Sequence, residues 1–367
     1  MKSPYAPKIA LVVLVASFYS LGSHSLAQGQ ANPPTSAQSY TVFDAPNASV
    51  TFARSINDRG DVAGSFVDTS EGNKVHAYVR DQAGNFTVFD GPNASSTLVQ
   101  SINNRGDVTG SFFDASQGHK LHGFVRDQAG NFTVFDIPNA FGTNSVSINN
   151  RGDATGDFSD ASQPNSAHGF VREQDGDLIV FNGPVAPNFT FARSINDSSN
   201  VTGALVDASQ SNKFRGYVRD QDGNFTVFDG PHAFGTIGIS INNRGDVTGQ
   251  LTVENPPRQF KARGFVRDQQ GNFSVFDAPD GSQTVGVSIN DRGEVAGQFV
   301  DASRSDSIRG YVRDEDGNFT VFDGPPTASS LQEDSGITGI NNRGDVTGAF
   351  LDASQGNKIR GYVRSTH

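Results

Sequence analysis

An all-β fold, a seven-bladed β-propeller with four strands per blade, is predicted by three features of the 367-residue sequence. First, one segment recurs, with starts at Ser55, Ser101, Ser147, Ser194, Ser240, Ser288 and Gly339, spaced by 46, 46, 47, 46, 48 and 51 residues. Second, each copy reads approximately SINNRGDVTGSFxDASQGNKxxGFVRDQxGNFTVFDGP, four short runs of β-branched and aromatic residues punctuated by Gly, Asn and Asp. Third, the last copy stops at GYVRSTH without its FTVFD run, and that run stands at the other end of the chain as YTVFDAP, Tyr40 to Pro46.

Four strands in about 46 residues are the dimensions of a propeller blade. In the second copy the strands are expected over 98–103, 107–113, 121–126 and 132–136. The split copy predicts closure of a ring, because the N-terminal run can add as the outer strand of the C-terminal blade; an open solenoid gains nothing from that arrangement. Apolar residues on both sides of a strand, as in Phe132, Val134 and Phe135, fit blades stacked face to face. With 29 Phe and no Trp, the core is expected to be filled by one repeated aromatic. The alternative, a β-helix, uses much shorter repeats.

Ahead of the repeats, Lys2 and Lys8 precede an apolar run from Ile9 to Phe18 and a stretch ending Ser25-Leu26-Ala27. This predicts a signal peptide over 1–27, cleaved after Ala27, a disordered lead-in over 28–39 and a single propeller over 40–367. The expected location is secreted or periplasmic, without membrane insertion. No cysteine is present, so neither a disulfide nor a lipid-bearing cysteine is expected. Cleavage would leave 26 basic against 39 acidic residues, a net charge near −13, which argues against nucleic acid as a partner.

The octapeptide NNRGDVTG and its variants raise the question of cell adhesion. A hairpin closed by a left-handed glycine accounts for Gly60, Gly106, Gly152, Gly245, Gly293 and Gly344, with the preceding Asn or Asp supporting the turn. Five copies hold Arg-Gly-Asp, at Arg59, Arg105, Arg151, Arg244 and Arg343; one holds Arg292-Gly293-Glu294 and one Ser198-Ser199-Asn200. Turn chemistry explains the tripeptide, and an integrin is not expected as its partner. The turns offer one or two carboxylates each, too few for a typical calcium loop, so no cofactor is expected; calcium is the ion they would take if any.

These motifs resemble the bacterial extracellular HAF-repeat family, in which a His-Ala-Phe step follows an INNxGxVxG hairpin. The matching stretches are SINDRGDVAG with His76-Ala77-Tyr78, SINNRGDVTG with His122-Gly123-Phe124 and SINNRGDATG with His168-Gly169-Phe170. In the later copies Arg215, Arg263, Arg309 and Arg360 stand in place of the histidine. The resemblance covers nearly all of the chain after the signal. It implies an exported, propeller-like repeat protein and carries over no catalytic residue.

Function is expected on the face opposite the Arg-Gly-Asp turns, where the segments after FTVFDGP and the loops after FxDAS vary between copies. Phe52, Phe141, Phe191 and Phe234 are candidate ligand-binding residues there, as an aromatic rim or as packing between blades. The recurring Asn57, Asn103, Asn149, Asn196, Asn242, Asn290 and Asn341 are expected to bond backbone or water, and the aspartates of DAS, such as Asp68 and Asp114, to cap loops. His76, His122 and His168 come from different blades, so no metal site is expected from their clustering. Near-identical blades predict a non-enzymatic protein that binds carbohydrate or a surface polymer, such as a cell-surface glycan, several times over in interblade clefts. The alternative is a polysaccharide lyase or glycoside hydrolase using the irregular late copies, with Glu254, His232, Glu333, Asp334, Arg258 and Lys261 as catalytic candidates.

Overall fold

The computed structural model describes residues 39–365 apart from 186–188, 256–258, 305 and 327–335. The expected signal peptide, most of the lead-in, and the candidates Arg258, Glu333 and Asp334 lie outside the described residues. Among the described residues the chain is all-β, 28 strands with four 3-10 turns, and no helix is long and apolar enough to cross a membrane.

Consecutive strands form four-stranded antiparallel sheets. The pattern begins with β2 (Ala48–Ile56), β3 (Val62–Asp68), β4 (Lys74–Arg80) and β5 (Phe86–Phe89), and continues with β6 (Ala94–Ile102), β7 (Val108–Asp114), β8 (Lys120–Arg126) and β9 (Phe132–Phe135). It recurs as β10–β13 (residues 140–181), β14–β17 (190–228), β18–β21 (233–276) and β22–β25 (281–322). The three strands β26 (Gly336–Ile340), β27 (Val346–Asp352) and β28 (Lys358–Ser365) are completed by β1 (Ser39–Phe43), which pairs antiparallel with β28 from Ser39 opposite Ser365 to Phe43 opposite Gly361. Single parallel pairs, Val50 with Ile359 and Val75 with Ser96, link three of these sheets into a twelve-stranded network.

Five of the first strands, β2, β6, β10, β18 and β22, run to 9 residues, longer than the sequence suggested. β6 begins at Ala94, four residues before the expected start at Leu98, because the stretch after FTVFDGP makes a tight turn and enters the sheet directly. The turn is closed by Ala94 N–H donating to the Gly91 carbonyl at 3.1 Å, with Asn93 at φ 53°. In these five sheets much of the variable segment is therefore strand, and not a free loop.

Burial falls from the second strand outward. β3 is covered along nearly its whole length, whereas β5 is open on both faces. The core lies between sheets: Ala63 and Ala77 of one sheet pack with Val99, Ile102, Val108, Phe112 and Phe124 of the next. The last Phe of each FTVF run supports the following sheet. Phe89 meets the Phe124 ring edge-on at 6.5 Å, and the Arg126 guanidinium lies 4.5 Å over Phe89. Phe43 makes the same contact with Tyr78, at 6.4 Å, under Arg80 at 4.8 Å, so β1 acts as the outer strand of the sheet preceding β2–β5. The repeated Val-Arg step thus has a packing role, a cation–π cover on each Phe. Six of the seven sheets carry a glycine before the central aromatic, the first carrying Ala77, and its space is limited: a Cβ on Gly169 would stand 2.2 Å from the Phe181 ring.

Candidate functional site

The Arg-Gly-Asp turns gather at one end of the molecule. Asn57 organises its turn by accepting from Arg59 N–H at 3.0 Å and Asp61 N–H at 2.9 Å, and Gly60 takes φ 87°. Its amide donates to Asp61 and also to the Asn103 carbonyl of the next sheet, at 3.0 and 3.1 Å. The interstrand bond repeats through Asn103, Asn149, Asn196, Asn242 and Asn290 to Asn341, which returns to the Asn57 carbonyl at 3.0 Å. A second circuit runs one residue on, each backbone N–H donating to the side-chain oxygen of its neighbour through Asp58, Asn104, Asn150, Asp197, Asn243, Asp291 and Asn342. These residues and the ring of isoleucines beside them surround a cavity of about 160 Å³.

Within each tripeptide the charges close on each other. Arg59 holds Asp61 at 2.7 Å, Arg105 holds Asp107 at 2.6 Å and Arg343 holds Asp345 at 2.6 Å. Asp107, Asp153 and Asp345 are buried, so the carboxylate belongs to the turn that carries it. An open groove of about 670 Å³ at this end, between the β6–β9 and β10–β13 sheets, is lined by Arg105, Asp107, Asp127 and Arg172, all residues of the repeated pattern.

At the opposite end the four candidate phenylalanines separate into two positions. Phe52 and Phe191 are half-buried with Arg54 and Arg193 over their rings at 5.1 and 5.6 Å, and their carbonyls accept from the hydroxyls of Tyr78 and Tyr217 at 3.1 Å. They are packing residues of the first strand. Phe141 and Phe234 stand at the start of β10 (Ala140–Ile148) and β18 (Ala233–Ile241) and are 60% and 54% exposed. Phe234 meets Phe260 edge-on at 5.5 Å, and Phe260 is itself 58% exposed. Phe214, on β16 (Lys213–Arg219) of the preceding sheet and also exposed, lies beside Gly235. Phe234 and Phe260 therefore form an open aromatic pair, and Phe214, exposed on the preceding sheet, stands beside the neighbouring Gly235. The sequence signal for Phe214 and Phe260 was present but unweighted: Phe214 stands at a third-strand start where other copies carry Val75 or Leu121, and Phe260 lies two residues ahead of that position in the longer third strand β20.

Beside this rim each sheet holds a charged cluster. Arg215 bridges Asp207 at 3.3 Å and Asp229 at 3.0 Å; Arg309 bridges Asp301 and Asp323; Arg360 bridges Asp352 and Asp44. The DAS aspartates cap their loops as expected: Asp114 accepts from Ser116 N–H at 2.7 Å and from its hydroxyl at 2.6 Å, which holds its carboxyl below the usual carboxylate range. In the sheets lacking the arginine, His76 and His122 sit stacked on Phe66 and Phe112, each with Nδ1 3.0 Å from Asp90 or Asp136. His168 instead faces Asn182 through Nδ1 and the Ser166 hydroxyl through Nε2, at 2.9 Å. The three histidines occupy separate sheets, each with its own neighbours.

The catalytic candidates within the described residues do not converge. His232 is exposed and occupies the left-handed position of the turn before β18, at φ 57°. Glu254 is exposed on β19 (Val247–Asn255), paired across the ladder with Phe260 on β20 (Gln259–Arg267). The stretch VENPPRQFKAR, expected as an irregular loop, thus lengthens a hairpin. Lys261 is committed to Asp277 at 3.2 Å. Among the described residues no hydrogen bond or ion pair joins any two of these three.

No protein-family model matches the sequence, and no curated protein is significantly similar to it. Solved structures are similar in fold. A streptogramin B lyase matches with TM-score 0.55 and 14% identity over 89% of this chain and 98% of that one. A catalytically inactive virginiamycin B lyase from Staphylococcus aureus with quinupristin matches with TM-score 0.53 and 12% identity over 89% and 99%. The β-propeller domain of the Trilobed protease from Pyrococcus furiosus matches with TM-score 0.61 and 12% identity over 87% and 95%. At these identities the likeness is one of fold, and the fold it shows is the β-propeller.

Proposed function

We propose that the chain is an exported, non-enzymatic β-propeller of seven blades that binds a carbohydrate or surface polymer on the rim opposite its Arg-Gly-Asp turns. The β1–β28 pairing and the amide circuit that returns from Asn341 to Asn57 support the seven-fold closure. The resemblance to HAF repeats and the Lys2-to-Ala27 leader support export.

The observation that carries the binding role is the exposed group of Phe214, Phe234 and Phe260. Open aromatic surface on a soluble protein marks an interaction site. Flat rings over a cleft suit the apolar faces of pyranose rings, and the charged clusters beside them supply hydrogen-bonding groups for hydroxyls. Exposed Phe141, whose neighbour Gly142 packs on Leu121, and Phe189, paired with Ala167, give two more junctions of related character, so a long polymer gains by engaging several weak sites. A formal net charge of −11 disfavours anionic polymers and makes neutral glycans the ligand class.

The test is size-exclusion chromatography of the protein after its leader, residues 28–367, incubated with a panel of neutral and anionic polysaccharides, following polymer length and protein together. Co-elution with a neutral polymer of unchanged length, weakened several-fold by Phe234→Ala or Phe260→Ala, is the expected result. Shortening of the polymer that disappears in Glu254→Gln would replace this reading with that of a lyase or hydrolase.

A further inference from the structure

We propose that Asp68, Glu71 and His76 form a binding site for one divalent transition-metal ion, of which Zn²⁺ is the type, on the loop between β3 and β4. One ligand atom from each of the three lies within 4.8 Å of the other two. His76 is only 6% exposed, and its Nε2 is buried without a hydrogen-bond partner. That nitrogen points at Glu71 Oε2, 3.4 Å away, too far for a good hydrogen bond. It matches the separation of about 3.4 Å between two ligands of a tetrahedral ion bound at about 2.1 Å.

The surroundings complete the arrangement. His76 Nδ1 lies 3.0 Å from Asp90, the carboxylate–imidazole contact that fixes the tautomer and leaves Nε2 as the metal-facing lone pair. Asp90 is also held by Lys74 at 2.7 Å, so it serves as the outer partner and not as a ligand. Asp68 is buried and oriented by Ser70, whose N–H and hydroxyl both donate to Oδ1, at 2.7 and 2.6 Å. Glu71 is exposed and can adjust to the ion, and the fourth position faces solvent for water or a ligand hydroxyl.

Comparison between the repeats explains why only this one is assigned. Where the sheets carry Arg215, Arg309 or Arg360, a guanidinium already fills the space between the two aspartates. In the β6–β9 sheet, Gln117 replaces the glutamate and donates its amide to Asp114 Oδ2 at 3.0 Å, satisfying the carboxylate without a cation. The first repeat substitutes an imidazole ring for the guanidinium and adds a carboxylate. It therefore has two acids, Asp68 and Glu71, facing a free imidazole nitrogen.

Two variants copy solutions the protein already uses and so are expected to fold: Glu71→Gln reproduces the Gln117 repeat, and His76→Arg the arginine repeats. ZnCl₂ titrated calorimetrically into the EDTA-treated protein should bind one ion per chain and raise the thermal midpoint. Both variants should weaken that binding at least tenfold, whereas Asp175→Asn, in the separate acidic turn of Glu173, Asp175 and Asp177, should leave it unchanged. Absence of Zn²⁺ binding in the parent, or binding of equal strength in His76→Arg, would overturn the assignment. In the first case His76 serves as an imidazolium between Asp90 and Glu71; in the second, the ion is held elsewhere.

Discussion

Replacing Asn149 by alanine tests whether the amide circuit holds the sheets together. Its side chain makes five contacts: the amide donates to the Asn196 carbonyl at 3.0 Å and to Asp153 Oδ2 at 2.9 Å, and Oδ1 accepts from the N–H groups of Arg151, Gly152 and Asp153 at 2.9 to 3.0 Å. Arg151 is exposed, so water can replace the lost acceptor there, and Gly152 N–H keeps its bond to the Asn149 carbonyl at 3.2 Å. Asp153 keeps donors from Arg151 and Ser199. The uncompensated losses are the Asn196 carbonyl and the Asp153 N–H, both on buried residues. At about 1 to 3 kcal/mol for each buried group left without its partner, and with a cavity at that end through which water can approach, the cost should be about 3 kcal/mol. Urea unfolding at 25 °C should show a lower midpoint at unchanged slope. The control is Asn131→Ala, which removes a chemically identical amide from an exposed turn, where it bonds only Asp127, and should cost under about 1 kcal/mol. Equal destabilisation by the two substitutions would refute the claim that the circuit is a structural clasp. Asn149→Asp adds a check: it keeps the acceptor but sets a second carboxylate against Asp153, so it should be at least as damaging at pH 7 and recover on acidification.

Two further outcomes follow from the structure. Burial between sheets pushes the Asp157 carboxyl up, against the opposing pull of Arg193 and a hydrogen bond to Asn144. An acid with a raised folded-state pKa carries no penalty below the unfolded pKa near 3.9, and its cost to folding builds as pH rises from there and is complete above the folded-state pKa. Asp157→Asn should thus be more stable than the parent at pH 7, with the difference closing below about pH 4, as measured by thermal midpoints across pH; a pH-independent difference would show that charge is not the cause. Deleting residues 28–46 removes β1 and uncovers the β28 edge together with the contact of Phe43 on Tyr78. The truncated chain should lose its cooperative transition or associate through the open edge, by light scattering and calorimetry, and an unchanged monomeric melt would show that β1 is dispensable.

The scaffold was legible because its determinants are local and repeated. Each Asn-Asn-Arg-Gly and Asp-Gln-x-Gly-Asn step states its turn in consecutive residues, and the runs between them are rich in the β-branched and aromatic residues of strands. What a single copy does not state is how copies meet. The Asn149 amide satisfies the next sheet's carbonyl, and the Val-Arg guanidinium covers the preceding sheet's Phe; both are visible only when two sheets stand side by side. The first-strand starts were missed for the same reason: Ala94 to Thr97 looks like a variable connector until its partner strand is placed beside it.

The candidate site was harder to read because it resides in departures from the pattern, and their meaning depends on what the other copies place at the same spot. Phe52 and Phe234 look alike in sequence, yet one aligns with Leu98 under an arginine and the other with Ser95 at the open rim. Glu71 looks like drift from the glutamine of DASQG. It becomes informative only once Gln117 is seen donating to Asp114 and Arg215 is seen bridging Asp207 and Asp229 in equivalent places. Near-identical repeats act as internal controls: five other copies of the Asp-Ala-Ser environment show how its charges are normally balanced, so a sixth that combines a buried unpartnered nitrogen with an added carboxylate stands out from them. The same comparison sets apart the exposed Phe214, Phe234 and Phe260, on which the proposed binding role rests.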